Sequence, residues 1–279
     1  MKFTRPFVLF SFAIIFNILY PFIDLNFSNN NNIKIIDSST TENIIPLGFS
    51  DDSKYLLCIK SDITRCYLDD IAKAQFIIYQ LHDIDNNAQK IYNIESIKDI
   101  NINGLFLIPV KNKNSIDIYS IQLVKGEIVK CEFLPFNTNA NEIFGSFTYK
   151  KTKIYFASDR AGGFGGYDIY EVEYLGDGKW SNPRNLGSAV NTSADEVAPF
   201  ILNDDLTLFF SRNTSVGKNN FDIFYSTILD DGSLDIAENL GDSINTEIDD
   251  LFVRINEQTN KAVFISKNIN TCTLYEINL

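Results

Sequence analysis

The chain has 279 residues, a formal charge of −12 at pH 7 and a pI near 4.6, a balance that argues against nucleic-acid phosphate and anionic lipid as partners. A body of this length buries roughly 75% of its unfolded surface, enough for one large domain or two small ones. With 45% hydrophobic residues, 23 Phe and 13 Tyr, the composition favours strands over helices.

In chain order, the first feature is a charged-then-apolar leader. Lys2 and Arg5 precede an apolar run from Phe7 to Ile23, broken only by Ser11, Asn17 and Pro21. That is the pattern of a secretory signal, at the lower length limit for a membrane span. No clear Ala-x-Ala site or nearby Cys follows, so residues 1–27 read either as a cleaved signal or as an anchor through 7–23. Residues 28–43 read as a polar linker with a strand-like piece, "NIKIIDS" (Asn32–Ser38). The remaining chain, 44–279, reads as one repeat domain.

"IPLGFSDDSKYLLCIKSD" (Ile45–Asp62) and "AQFIIYQL" give the first strands of that domain, and "GLFLIPV" with "SIDIYSIQL" gives a shorter second unit. From residue 137 onward a period of 54 residues is visible without gaps. Asp168-Ile169-Tyr170 matches Asp222-Ile223-Phe224, Asn185-Leu186-Gly187 matches Asn239-Leu240-Gly241, and "NTSADE" at Asn191 matches "NTEIDD" at Asn245. One step back lands on "NTNANE" at Asn137, and Ile154–Phe156 steps through Leu208–Phe210 to Ala262–Phe264.

Each unit carries about four strand signals, lettered a to d. In the third these run near Ile143–Thr148, over "KIYFAS", over "YDIYEVEY", and from Trp180 to "RNLG", with turns such as "GDGKW" between them. Four strands per repeat of this length predict an all-β propeller. Units begin near 44, 100, 143, 197 and 251, which makes five blades. Six is the alternative if Asp62–Ile100 hides a degenerate unit. The last unit lacks a fourth strand, and the Asn32–Ser38 piece is expected to supply it and close the ring.

These residues carry a family resemblance. "FSDDSKYLLCIKSD" resembles the TolB-type WD40-like (PD40) propeller repeat, and "IYFASDRAGGFGGYDIY", "VNTSADEVAPFI" and "DIFYS" resemble its variant in bacterial envelope proteins, often of the Bacteroidota. The likeness is close over 137–266 and weak over 44–136. The family's proline-glycine turn is replaced by Asp51-Asp52-Ser53 and Asp204-Asp205-Leu206. In that family the propeller is commonly fused to an OmpA-like peptidoglycan-binding domain; no such sequence follows here. The resemblance implies export to the periplasm or outer membrane. It also implies a non-catalytic role in protein–protein interaction, with an OmpA-like or secretion-machinery component as partner.

The glycine loop 162–166 lacks the following helix and lysine of a phosphate loop and reads as a b–c hairpin connection whose glycines permit positive φ. The Asp of "DIY" (Asp117, Asp168, Asp222) recurs in successive blades, which suits bonds to loop N–H groups better than catalysis. In a four-stranded meander the b–c loops and d–a connections share one face. This groups Asp159, Arg160, Phe164 and Tyr167 with Asp195, Glu196, Asp249 and Asp250 as the expected partner-binding set. Turn capping and calcium binding are the other readings of the carboxylates.

Some five-bladed propellers are glycoside hydrolases, and Glu142, Asp195, Glu196 and Asp249 would be the acid–base candidates here. Their recurrence speaks against it, so no catalytic residue is expected, and glycan binding or hydrolysis stands as the alternative function. The four cysteines (Cys58, Cys66, Cys131, Cys272) form no C-x-x-C, and the single histidine, His82, completes no zinc set. No metal or cofactor is expected. Cys58 and Cys66 read either as a pair across a loop or as buried thiols.

Overall fold

The computed structural model describes residues 33–39, 44–51, 53–60, 76–80, 89–92, 103–215 and 220–279. The leader 1–27, Cys66 and His82 lie outside them. Among the described residues every regular element is a strand, and these strands form five antiparallel sheets. Blade 1 is β2 (Ile44–Phe49), β3 (Tyr55–Lys60), β4 (Phe76–Gln80) and β5 (Gln89–Tyr92). Blade 2 is β6 (Gly104–Lys111), β7 (Ile116–Val124) and β8 (Glu127–Phe133).

Blade 3 is β9 (Glu142–Phe147), β10 (Lys153–Ser158) and β11 (Asp168–Gly176), with two short outer pieces, β12 (Lys179–Trp180) and β13 (Arg184–Asn185), both on β11. Blade 4 is β14 (Glu196–Ile201), β15 (Thr207–Asn213), β16 (Phe221–Thr227) and β17 (Glu238–Asn239). Blade 5 is β18 (Asp249–Asn256), β19 (Lys261–Lys267) and β20 (Cys272–Asn278), completed by β1 (Ile33–Ser39).

The described strands form a β-propeller of five sheets; within Asp62–Ile100, where a sixth unit was the alternative, the described strands β4 and β5 complete blade 1. Closure is as the sequence leads one to expect: β1 pairs antiparallel with β20 from Ile33↔Ile277 to Ser39↔Cys272. This covers the last sheet edge with chain from the first, and Ile44 N–H points to Cys272 Sγ at 3.5 Å where blades 5 and 1 meet. Around the channel, β2, β6, β9, β14 and β18 stand side by side in a ring.

Packing explains why the strand sequences run apolar rather than alternating. Each blade is covered on both faces, so strand b is buried on both. On β10, Ile154 and Phe156 pack towards blade 2 with Leu107, Ile118 and Phe136, while Tyr155 and Ala157 join the large inner core. The blade 4–blade 5 interface holds Phe209, Ile223, Val253 and Phe264.

The channel strands of blades 3, 4 and 5 share one irregularity. Phe144, Ala198 and Phe252, spaced at 54 residues, have φ of 46°, 54° and 61°, and each sits where the a–b register shifts. A β-bulge therefore bends strand a at the same place in blades 3, 4 and 5. The bulges turn Phe144 and Phe252 into the channel, where their rings meet edge to face at 4.4 Å. The blade between them supplies the small Ala198. The channel is therefore plugged near its b–c end.

Candidate functional site

The rim is built from the b–c loops and the d–a connections, which touch. Gly166 N–H donates to Ala194 O at 3.3 Å, Glu196 N–H to Tyr167 O at 2.7 Å, and Asn213 N–H to Asp195 O at 2.9 Å. The grouping of these segments on one face is thus seen directly.

The glycine loop is held by close approach more than by left-handed backbone. Only Gly162 in it has positive φ (+92°). At Gly163 a Cβ would land on Asp168 Oδ2, at Gly165 on Ala194 O, and at Gly166 on Asp195 Oδ1. The expectation that these glycines serve positive φ is corrected for three of the four: they make room for neighbours. Asp168 draws the loop in by accepting from Phe164 N–H (2.6 Å), Gly165 N–H (3.2 Å) and Asn185 Nδ2 (2.8 Å). In blade 2 Asp117 instead accepts from the side chains of Asn112 and Ser115. The result is a pinned loop with Phe164 left 51% exposed at its tip.

The "NT" segments are inter-blade clamps. Asn137, Asn191 and Asn245 each accept from the N–H and donate to the C=O of Ile118, Ile169 and Ile223, at 2.7–3.0 Å. An asparagine amide thus stands in for a strand residue beside strand c. Four residues on, Asn141, Asp195 and Asp249 accept from the N–H of Ile116, Tyr167 and Phe221 at 3.0, 2.8 and 3.1 Å. Asp159, exposed, grips Asn141 through both carboxylate oxygens at 2.7 Å. Tyr167 is half-buried between these groups, and burial pushes its phenol up to about 12.

One residue further along lie three fully buried carboxylates, Glu142, Glu196 and Asp250. Each accepts from the N–H and hydroxyl of the threonine four residues earlier, Thr138, Thr192 or Thr246. Glu142 also meets Arg160 Nη2 at 2.9 Å, and Glu196 meets Arg212 Nε at 2.9 Å. The guanidiniums lie over aromatic pairs, Arg160 over Phe156 and Tyr170 (5.1 and 5.0 Å) and Arg212 over Phe210 and Phe224 (5.4 and 4.4 Å). Asp250 has no such cation among the described residues. It takes only the Ser266 hydroxyl besides Thr246, and burial pushes its carboxyl up to about 6.

Of the eight rim residues singled out in the sequence, Glu196, Asp249 and Asp250 are therefore buried and bonded inward. Arg160 is largely covered, Tyr167 and Asp195 are half-buried, and Asp159 and Phe164 face solvent. Each of the four acid–base candidates, Glu142, Asp195, Glu196 and Asp249, already holds a donor within the fold. Among the described residues no group of three or more His, Cys, Asp or Glu converges on a point.

The other end of the channel differs. Beyond the Phe144–Phe252 plug a cavity of about 580 Å³ opens towards the a–b turns, lined by channel strands of all five blades. Phe49, Phe106, Phe147 and Phe200 form apolar wall, and Arg254 enters from blade 5. Arg254 is 3% exposed and donates to Leu47 O (3.2 Å) and Val253 O (2.8 Å), with Phe200 beneath it at 5.5 Å. Burial lowers its guanidinium to about 10. Sequence reasoning missed this residue, although a signal was present. Positions 146, 200 and 254 are one period apart and read Ser, Phe, Arg, so the repeat breaks there.

No family model matches the chain, and no curated protein matches it. Among solved structures it is similar to an endo-arabinase from Bacteroides thetaiotaomicron VPI-5482, at 11% identity over 88% of this chain and 97% of that one, with a TM-score of 0.53. It also resembles a provisionally named TolB from Agrobacterium tumefaciens (17% identity, 83% and 72% coverage, TM-score 0.47). TolB from Acinetobacter baumannii gives 11%, 85% and 54%, and 0.41. At these identities the likeness is one of fold: the chain shares a β-propeller scaffold with the arabinase.

Proposed function

We propose that this chain is a non-catalytic, exported β-propeller that acts as a protein-interaction module of the cell envelope, through the face carrying the b–c loops and d–a connections. The observation that carries the reading is the pinned presentation of Phe164. A half-exposed aromatic on a loop fixed by Asp168 and by close packing on Ala194 loses little freedom on binding. Ile269, 99% exposed on the b–c loop of blade 5, adds a second apolar group on that face. Asp159 and the accessible edges of Arg160, Tyr167 and Asp195 supply polar surroundings, and buried Glu196, Asp249 and Asp250 hold the loops in place.

Export is supported by the charged-then-apolar pattern of residues 2–23, and an envelope partner of the OmpA-like or secretion-machinery kind by the repeat resemblance. The test is affinity capture of envelope proteins by the wild type, by Phe164→Ala and by a control on the opposite face, Leu229→Ala. A partner lost with the first substitution and kept with the second supports the reading. Equal capture by all three overturns it.

Glycan binding is a second reading, favoured by the aromatic-lined cavity at the a–b end of the channel. It requires neutral oligosaccharides to bind there, and titration of arabinan and cellulose oligomers would show it.

A further inference from the structure

The cavity at the a–b end lies at the opposite mouth from the proposed recognition face, so a ligand held there is independent of that reading. Its lining contains two cations and two anions of the described residues: Lys151 and Arg254, Asp51 and Glu257. Burial lowers the Lys151 ammonium, and nearby Asp51 and Asp205 oppose that shift. Glu257 accepts from Asn203 N–H at 2.7 Å, and burial together with nearby Asp204 and Asp205 raises its carboxyl.

Arg254 has no such counterpart. Its bonds run to two main-chain carbonyls, and among the described residues its Nη2 meets no acceptor and no carboxylate forms an ion pair with it. Elsewhere the fold does otherwise with largely covered guanidiniums: Arg160 and Arg212 each meet a buried glutamate. A buried charge without a partner is costly, and a fold that keeps one at a cavity wall gains when an anion arrives. The position also breaks the repeat, being Ser146 in blade 3 and Phe200 in blade 4.

We propose that the a–b end of the channel is a binding site for a small organic monocarboxylate, whose carboxylate pairs with Arg254 and whose body lies against Phe49, Phe106, Phe147 and Phe200. A carboxylate matches the planar donor fork of a guanidinium. A single negative charge fits a single unbalanced cation, whereas a dianion would crowd Asp51 and Glu257 at the same cavity. A volume of about 580 Å³ lies within the range of small-molecule sites, room for one ring-bearing acid.

The experiment is titration of the full chain with benzoate and with D-glucuronate, against their neutral counterparts benzamide and D-glucose, followed by calorimetry and by the shift in Tm. At least one acid is expected to bind with about tenfold or greater preference over its counterpart. Arg254→Met is expected to abolish that preference, Arg254→Lys to weaken binding about tenfold because the fork is lost, and Phe164→Ala to leave binding unchanged. If Arg254→Met does not fold, the acid-versus-neutral comparison on the wild type and the Lys variant decide. No response to either acid at about 20 mM, equal response to the neutral compounds, or undiminished binding by a folded Arg254→Met overturns the proposal.

Discussion

Asp250 accepts the hydroxyl of Ser266 at the place where, one blade earlier, Glu196 is met by Arg212. The two carboxylates are one 54-residue period apart, as are Ser266 and Arg212, and both carboxylates are fully buried. The aromatic pair that underlies Arg212 is also repeated, since Phe264 and Tyr275 stack at 5.3 Å as cross-strand partners. Blade 5 thus keeps the acid and the aromatic bed of the site, and no cation meets the acid among the described residues. Blade 3 reaches the same arrangement differently, with Ser158 in the Ser266 position and Arg160 two residues beyond.

Restoring the cation should stabilise the fold. Ser266→Arg is expected to pair with Asp250, bring its carboxyl below 6, and raise stability at pH 7 by about 1–2 kcal/mol, the gain of a charge-assisted bond less the cost of ordering the side chain. Urea denaturation measures it. A loss of stability would show that the blade 5 bed does not accept a guanidinium.

The pH dependence has a definite sign. Asp250 is raised from 3.8 to about 6, so the folded state binds its proton more tightly than the unfolded chain. Between those values folding takes up a proton, and stability falls as pH rises through about 6. Glu196, Asp222 and Glu257 are shifted upward too, each chiefly by burial, and add in the same direction. The chain is expected to be more stable at pH 5 than at pH 7, and Asp250→Asn to flatten that slope. Denaturation midpoints at the two pH values check both.

Removing a cation from an occupied site should be severe. Arg212→Met leaves Glu196 buried with only Thr192 as donor and is expected to cost about 3–5 kcal/mol. The double variant Arg212→Met, Glu196→Gln should recover much of that loss, because no uncompensated charge remains. Equal loss in the single and double variants would assign the effect to packing of Arg212 on Phe210 and Phe224 instead.

The glycine loop makes a paired prediction. Gly165→Ala drives a methyl into Ala194 O and is expected to cost roughly 2 kcal/mol or more, the scale of overpacking. Gly162→Ala meets nothing within 4 Å and should cost about 1 kcal/mol through its positive φ alone. Thermal melts of the two variants compare them directly.

The architecture was legible because a repeat records itself at fixed spacing. Asn191 and Asn245 recur since each clamps the same backbone pair of the preceding strand c, and the closing strand shows as an apolar piece left without a sheet. The site was less legible for the opposite reason. Repetition marks residues that hold blades together, so Glu196, Asp249 and Asp250 stood out in the sequence and are structural in the fold. Arg254 and the plug of Phe144 with Phe252 depend on which side chains meet across the channel. A bulge, invisible in the alternation of strand a, sets that meeting.

Recognition through the b–c face is tested by site-specific photo-crosslinking in intact cells, with the probe at Phe164 in one strain and at Leu229, on the opposite face, in another. A discrete protein adduct from Phe164 and none from Leu229 is expected. Silence from both positions, or the same adducts from both, would contradict it.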